Sequence, residues 1–381
     1  MTLELRPQGV FKRLSDLAAD KFGLLSRRDL RPPRFYYDQV VANHNHMEPL
    51  LRTIRSFKMD SQYLVNLLNY KPRFYGGQAG VSAWYKLPAS RRSAVLVLLF
   101  MGKSGELRVI LTKRSRKLRH FSGHISFPGG KVNDELESPM QCARRETEEE
   151  IGISRHNETL RKLYDCEIRE MKVLPSYMAG TLLAVAPCVG FLHWDDRKLN
   201  FVEEQSLDSL RLNPGESASV FSVPLRDFIQ PRPTGLPLLE CVKQSHTRVK
   251  WGNIPWDLRR FIFPTFSEQE VSWLSDVEDL SPPSSEDDHR ESGKTRMATR
   301  NCWGLTANIL HDLAEIVYMN EQTKVIGHED MIWASYQNGQ MKQKQRSAFE
   351  KGLIKNLPGY TFDEYLGHEE FAKLKQTYGE R

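Results

Sequence analysis

Hydrophobic positions mark out the scaffold of this chain. Ser93 to Phe100 (S-A-V-L-V-L-L-F) is a continuous apolar run bounded by Arg91-Arg92 and Gly102, the pattern of a strand buried on both faces. Gly102 to Gly105 supply a turn and Leu107 to Thr112 return as a second strand, so the pair reads as a hairpin. Glu167 to Val173 and Thr181 to Trp194 read as further strands, with Pro175 and Tyr177 in the connecting loop. Asn213-Pro214-Gly215-Glu216 reads as a turn leading into Val220 to Val223, and Phe261 to Trp273 resumes an ordered pattern. Helical spacing appears within Leu50 to Leu68, at Leu51, Ile54, Met59, Leu64 and Leu67. It returns within Trp303 to Met319, at Leu305, Ile309, Leu313, Ile316 and Val317. Between these, Ser275 to Lys294 is acidic and rich in Pro and Ser; it carries too little apolar surface to order itself and reads as a disordered insertion. Gly327-His328-Glu329-Asp330 and Gly367-His368-Glu369-Glu370 each open a helix; neither is H-E-x-x-H, so both read as caps. These patterns alone give an α/β or α+β class.

One more helix is announced by its ends. Ser138 suits an N-cap, Pro139 the first helical position, and Gln141 completes a capping box; Gly152 is a natural stop. The predicted helix runs from Pro139 to Ile151 and turns Met140, Ala143, Thr147 and Ile151 toward the core. At about 100° per residue, Glu146, Glu149 and Glu150 share one wedge of its surface while Glu148 points away. Like charges at this spacing, at a helix C-terminus, oppose helix formation. A cluster of hard oxygens in an unfavourable electrostatic position fits a site for Mg²⁺ or Mn²⁺. Taken alone, the run Glu146 to Glu150 is equally the solvated face that such charge runs commonly form.

The surroundings narrow that choice. Gly129-Gly130, Glu137, Arg145-Glu146, Glu149-Glu150, Gly152 and Ile153 resemble the Nudix box, G-x5-E-x7-R-E-U-x-E-E-x-G-U with U aliphatic. Thr147 departs from the aliphatic position, and the spacing from Gly130 to Glu137 is one residue longer than the pattern. The preceding stretch, Ile110 to Gly130, is similar to L-L-T-x-R-S-x3-R-x3-G-x3-F-P-G-G, a signature of the coenzyme A diphosphatase branch of the Nudix family; Ile110 stands where the signature has Leu. The similarity continues from Arg91 to about Ser222 and from Trp303 to Asp330. The resemblance implies an α/β/α Nudix sandwich with a mixed β-sheet, plus N- and C-terminal extensions.

By the same resemblance, Glu146, Glu149 and Glu150 coordinate Mg²⁺ or Mn²⁺, Arg145 orients the glutamates, Glu137 supports them, and Glu149 or Glu216 serves as base. Arg114, Ser115, Arg119, Gly123, Gly129 and Gly130 are the substrate-binding candidates; Arg114 and Arg119 offer forked donors to phosphate oxygens. Glu216 is otherwise an ordinary exposed turn residue, and the basic stretch Lys113 to His120 otherwise a solvated loop. The implied reaction is hydrolysis of coenzyme A, its thioesters or its disulfide to 3′,5′-ADP and a phosphopantetheine, in the peroxisome or otherwise the cytoplasm. Tyr378 to Arg381 does not match the S-K-L address.

The chain of 381 residues is 40% hydrophobic with a net charge of +6, compatible with RNA, an acidic membrane surface or a phosphorylated small molecule. No run approaches the roughly 20 apolar residues of a membrane span. The 5 cysteines are scattered without zinc spacing and read as reduced thiols. A domain plan follows: a basic arm at 1–48, a helical lead-in at 49–90, a hydrolase domain at 91–320 interrupted by the acidic tract at 275–296, and a helical extension at 321–381. Two alternatives share the fold. One hydrolyses oxidised nucleoside triphosphates, against which the stretch from Ile110 to Gly130 argues. The other is a non-catalytic RNA binder, against which the intact glutamates argue, so nucleic acid is not an expected partner.

Overall fold

The computed structural model describes residues 63–77, 80–194, 206–229, 240–281 and 298–380. All lie in the second of two units, Phe57–Arg381. The basic arm, the start of the lead-in and residues 282–296 of the acidic tract lie outside the described residues.

The lead-in contributes a short helix, α1 (Leu64–Asn69). Past it, Pro72, Gly76, Gly80 and Pro88 recur too closely for an α-helix, and the chain advances through 3₁₀ turns at Tyr75–Gly77, Ala83–Lys86 and Ala89–Arg91. The apolar run then forms β1 (Arg92–Met101), in which Leu96 to Phe100 are fully buried. A turn at Gly102–Gly105 returns the chain as β2 (Leu107–Arg114), antiparallel to β1 with Leu99 opposite Val109. Two short strands follow: β3 (Ile125–Ser126) on the end of β2 and β4 (Gly129–Lys131) on the start of β1.

Helices α2 (Pro139–Ile151) and α3 (Asn157–Tyr164) lead into β5 (Cys166–Val173). Tyr177 falls in a two-residue strand, β6 (Tyr177–Met178), rather than in a loop, because it pairs with Val185 of β7 (Ala184–Trp194). Strand β7 runs parallel to β1 and antiparallel to β5, and β8 (Ser217–Pro224) pairs antiparallel with the outer side of β2. The product is an 8-stranded mixed sheet of order β3-β2-β1-β7-β5, with β4, β6 and β8 attached. Met140, Cys142, Ala143 and Ile151 of α2 share one hydrophobic core with Leu96, Leu98, Phe100 and Ile110.

A second sheet was not foreseen from the sequence. Strands β9 (Lys243–Trp251) and β10 (Ile254–Pro264) form a hairpin through Gly252-Asn253, both at positive φ (52° and 69°), the backbone that a two-residue hairpin loop requires. Strand β9 is mostly exposed and polar, so it lacks the alternation that would have flagged it. Helix α4 (Ser272–Ser275) leads into the acidic tract, where Leu280 N–H donates to Ala218 O at 2.7 Å. Strand β11 (Thr299–Trp303) completes the three-stranded sheet and runs into α5 (Gly304–Met319).

The C-terminal region supplies α6 (Glu329–Gln337), α7 (Ala348–Ile354) and α8 (His368–Gly379). Met331, Ile332, Leu353, Phe362 and Leu374 join the same core cluster as Leu96. Buried charges bind this region inward. Arg91 pairs with Glu350 at 2.6 Å, and the Glu329 carboxylate accepts from Ser82 Oγ, Ala83 N and Ser176 N. His328 and Gly367 occupy N-cap positions without a side-chain cap bond; the His328 ring instead stacks on Trp256 at 4.3 Å, and its Nδ1 accepts from Met178 N–H.

Candidate active site

Helix α2 carries the site, and its ends are fixed locally. Ser138 Oγ accepts from Gln141 N–H while Gln141 Oε1 accepts from Ser138 N–H, with Pro139 at the first helical position. Met140, Ala143, Thr147 and Ile151 are buried, and Thr147 satisfies its hydroxyl by donating to Ala143 O at 2.7 Å. At the other end Gly152 sits at φ 78°, and a Cβ there would lie 2.4 Å from Ser209 O. That close approach lets the segment before β8 satisfy the last carbonyls of the helix: Arg211 N–H donates to Ile151 O and Asn213 N–H to Glu150 O, both at 3.0 Å.

Arg145 is the hub of the glutamates. Its Nε and Nη2 grip Glu137 at 2.8 and 3.1 Å, and its Nη1 donates to Glu146 at 2.8 Å and Glu149 at 3.1 Å. Nη2 also donates to Lys131 O at 2.9 Å. These partners raise the Arg145 pKa above its ordinary value. Glu137 is itself held, accepting from Asn133 N–H at 2.7 Å. Glu148 turns away to Arg155 at 2.6 Å. Gly130 of β4 lies so close to Glu146 that a Cβ would fall 2.3 Å from its carboxylate, while Gly129 pairs with Val95.

Glu150 is the most buried of the three metal candidates. Burial above all, with Glu146 and Glu216 beside it, pushes its pKa up to about 8 against the pull of Arg114 and a backbone bond from Gly129. Burial likewise raises Glu146, against the pull of Arg145. Glu149 is the open one, its side chain 48% exposed. Glu216 is half-buried and close enough to act on Glu146 and Glu150; Asn213 Nδ2 donates to it at 3.3 Å. Asn213 was not singled out in the sequence, although N-P-G is a turn signature whose Asn side chain accepts from Gly215 N–H. It is the residue that joins the Glu216 turn to the helix.

The basic loop reaches the same place from β2. Arg114 is near enough to influence Glu150, and its buried Nε has no partner among the described residues. Its backbone closes the loop, donating to His124 O at 2.9 Å and accepting from Gly123 N–H at 3.1 Å. Ser115 is buried, its hydroxyl donating to Pro214 O at 3.0 Å and its N–H to Glu216 O at 2.8 Å, so its contacts run to the Glu216 turn. Arg119 stands exposed on the loop.

This arrangement suits a hard divalent cation. The carboxylates of Glu137, Glu146, Glu149, Glu150 and Glu216 face the guanidinium groups of Arg114 and Arg145, leaving a negative excess. Glu150 Oε2 is buried without a partner among the described residues, which is costly unless something positive meets it. A tighter donor set, His311, Asp312 and Glu315, has ligand atoms within 4.8 Å of one another. There Lys324 Nζ already pairs with Asp312, at 3.1 Å, and with Glu315, and His311 Nδ1 bonds Phe228 O. An ammonium thus supplies that set's positive charge.

The chain is similar to known proteins. The NUDIX domain family matches residues 90–233. The peroxisomal coenzyme A diphosphatase 1 of Saccharomyces cerevisiae is 38% identical over 324 residues, 79% of this chain and 91% of that protein. Nudix hydrolase 15, mitochondrial, of Arabidopsis thaliana is 39% identical over 37% of this chain and 42% of its own length. The peroxisomal coenzyme A diphosphatase ndx-8 of Caenorhabditis elegans is 31% identical over 38% of this chain and 53% of its own length. With a glutamate-bearing helix held by Arg145 and a relative aligned over nearly its full length, this chain belongs to the Nudix hydrolase family.

Proposed function

We propose that this chain hydrolyses the diphosphate bond of coenzyme A and its derivatives. Water adds to one phosphorus, the bond from that phosphorus to the bridging oxygen breaks, and the products are 3′,5′-ADP and 4′-phosphopantetheine or its acylated form. The observation that carries the reading is the Arg145-ordered glutamate array set against Arg114. The 38% identity to a coenzyme A diphosphatase along 91% of that protein supports the substrate. Peroxisomal residence belongs to the same proposal, on the names of two relatives.

Glu146, Glu149 and Glu150 would hold Mg²⁺ or Mn²⁺, which supplies charge neutralisation at the diphosphate and a more acidic water. Arg145 keeps Glu146 and Glu149 aligned and Glu137 keeps Arg145 aligned, so the carboxylates need no large rearrangement when substrate arrives. Arg114 offers charge-assisted donors to the diphosphate oxygens. The attacking water gives its proton to Glu149, the exposed member, with Glu216 the alternative acceptor.

The test is a comparison of kcat/KM for coenzyme A and for 8-oxo-dGTP with Mg²⁺ or Mn²⁺. Coenzyme A is expected to be favoured by about a hundredfold or more, the selectivity that a few specific polar contacts give. Equal values, or a preference for the oxidised nucleotide, would replace this reading with nucleotide housecleaning.

A further inference from the structure

A cleft of about 470 Å³ opens between the loop after β2 and strand β11. None of the glutamates of α2 lines it. Lys113, Arg116 and Arg300 do, and no carboxylate is among the described lining residues. Arg300 is held in place, its guanidinium 4.1 Å from the Phe221 ring centre and 3.6 Å from Asp279. Aromatic rings edge the same cleft: Trp303, 36% exposed, packs on His124 at 5.1 Å, and His124 on Phe121 at 5.6 Å. The two walls are tied together, since Thr306 Oγ1 donates to Ile125 O at 3.3 Å. Two lining residues adjoin the Arg114 backbone: Lys113 precedes it in β2, and Gly123 donates its N–H to Arg114 O. Arg300 and Trp303 lie beyond residues 90–233, the span of the family match.

We propose that this cleft receives the 3′-phosphorylated adenosine of coenzyme A, with Lys113, Arg116 and Arg300 around the ribose 3′-phosphate and Trp303 against the adenine. The inference rests on the coenzyme A reading above and deepens it. A phosphomonoester dianion is the part of that substrate that calls for several cations, and a purine is the part that calls for an open indole face. The pantetheine arm is neutral and matches neither feature. The adenosine end therefore takes the cleft, which places the diphosphate toward Arg114 and Glu150.

The experiment compares kcat/KM for coenzyme A with kcat/KM for 3′-dephospho-coenzyme A in the full chain and in Lys113→Ala, Arg116→Ala and Trp303→Ala. Losing a charge-assisted bond to the 3′-phosphate should lower the ratio of the two values about tenfold or more in each cation variant, through KM. Trp303→Ala should lower both values alike, also through KM. A ratio that stays at the wild-type value in both cation variants overturns the proposal. A second arm needs no turnover: calorimetric binding of adenosine 3′,5′-bisphosphate and of AMP in EDTA. Tighter binding of the bisphosphate, weakened by Arg116→Ala, supports the cleft; equal binding of the two nucleotides refutes it. If the wild-type chain leaves coenzyme A intact, the preceding reading falls and this titration alone decides the cleft.

Discussion

Arg145 meets three carboxylates at once, and what each glutamate can do follows from how it is met. Glu137 receives a two-pronged grip, so it acts on the helix surface through Arg145. Glu146 and Glu149 each receive one bond, which leaves oxygen lone pairs for a cation. Glu150 receives none from Arg145, and burial pushes its pKa up to about 8. The consequence for stability has a definite sign. An acid whose folded pKa is raised from 4.5 to about 8 contributes stability that is full below the lower value and lost as pH rises toward the upper one. In EDTA, the melting temperature of the wild-type chain should therefore fall more steeply between about pH 5 and pH 8 than that of Glu150→Gln. Thermal unfolding across that range checks it; parallel curves would show that Glu150 is ionised throughout and that its burial has been misread.

Elements, not single residues, bring Glu216 to the helix. The C-terminal carbonyls of α2 are capped by N–H groups of Arg211 and Asn213, and that register is possible only because Gly152 leaves room for Ser209. Gly152→Ala combines a positive φ with a 2.4 Å contact to backbone, so about 2–4 kcal/mol should be lost. Gly180→Ala, with nothing within 4 Å of its added carbon, should stay within about 0.5 kcal/mol. Chemical denaturation of the two variants measures the difference; equal losses would mean that the Ser209 approach is not a constraint. The same comparison explains what the sequence made legible. The ends of α2 were readable because a capping box, a proline and a terminal glycine act within a few residues. The nearness of Glu216 to Glu150 was not, because it depends on hydrogen bonds between segments far apart in the chain. Strand β9 escaped because its polar, exposed residues take their place from pairing with β10, although Gly252-Asn253 was a usable hairpin signal.

At the scale of the molecule, the residues beyond α5 are part of the structure that presents the site. Glu329 ties α6 to Ser82 and Ser176, Glu350 ties α7 to Arg91 just before β1, and Trp251 Nε1 donates to Leu353 O. Breaking such a buried pair by removing one partner leaves a stranded charge, so these contacts couple the C-terminal region to the central strand. This coupling was hidden in the sequence, where Arg91 and Glu350 look like ordinary surface charges. Among the described residues no helix is long and apolar enough to cross a membrane. In the proposed function this frame aims an Arg145-ordered glutamate helix at the diphosphate of coenzyme A. Mass spectrometry of the products from coenzyme A, purified protein and Mg²⁺ or Mn²⁺ tests it most directly, with EDTA and Glu149→Gln as controls. The expected products are 4′-phosphopantetheine and 3′,5′-ADP in equal amounts, abolished by EDTA and reduced about a hundredfold in a folded Glu149→Gln variant. Coenzyme A left intact by the folded wild-type protein, or turnover unchanged in Glu149→Gln, would contradict it.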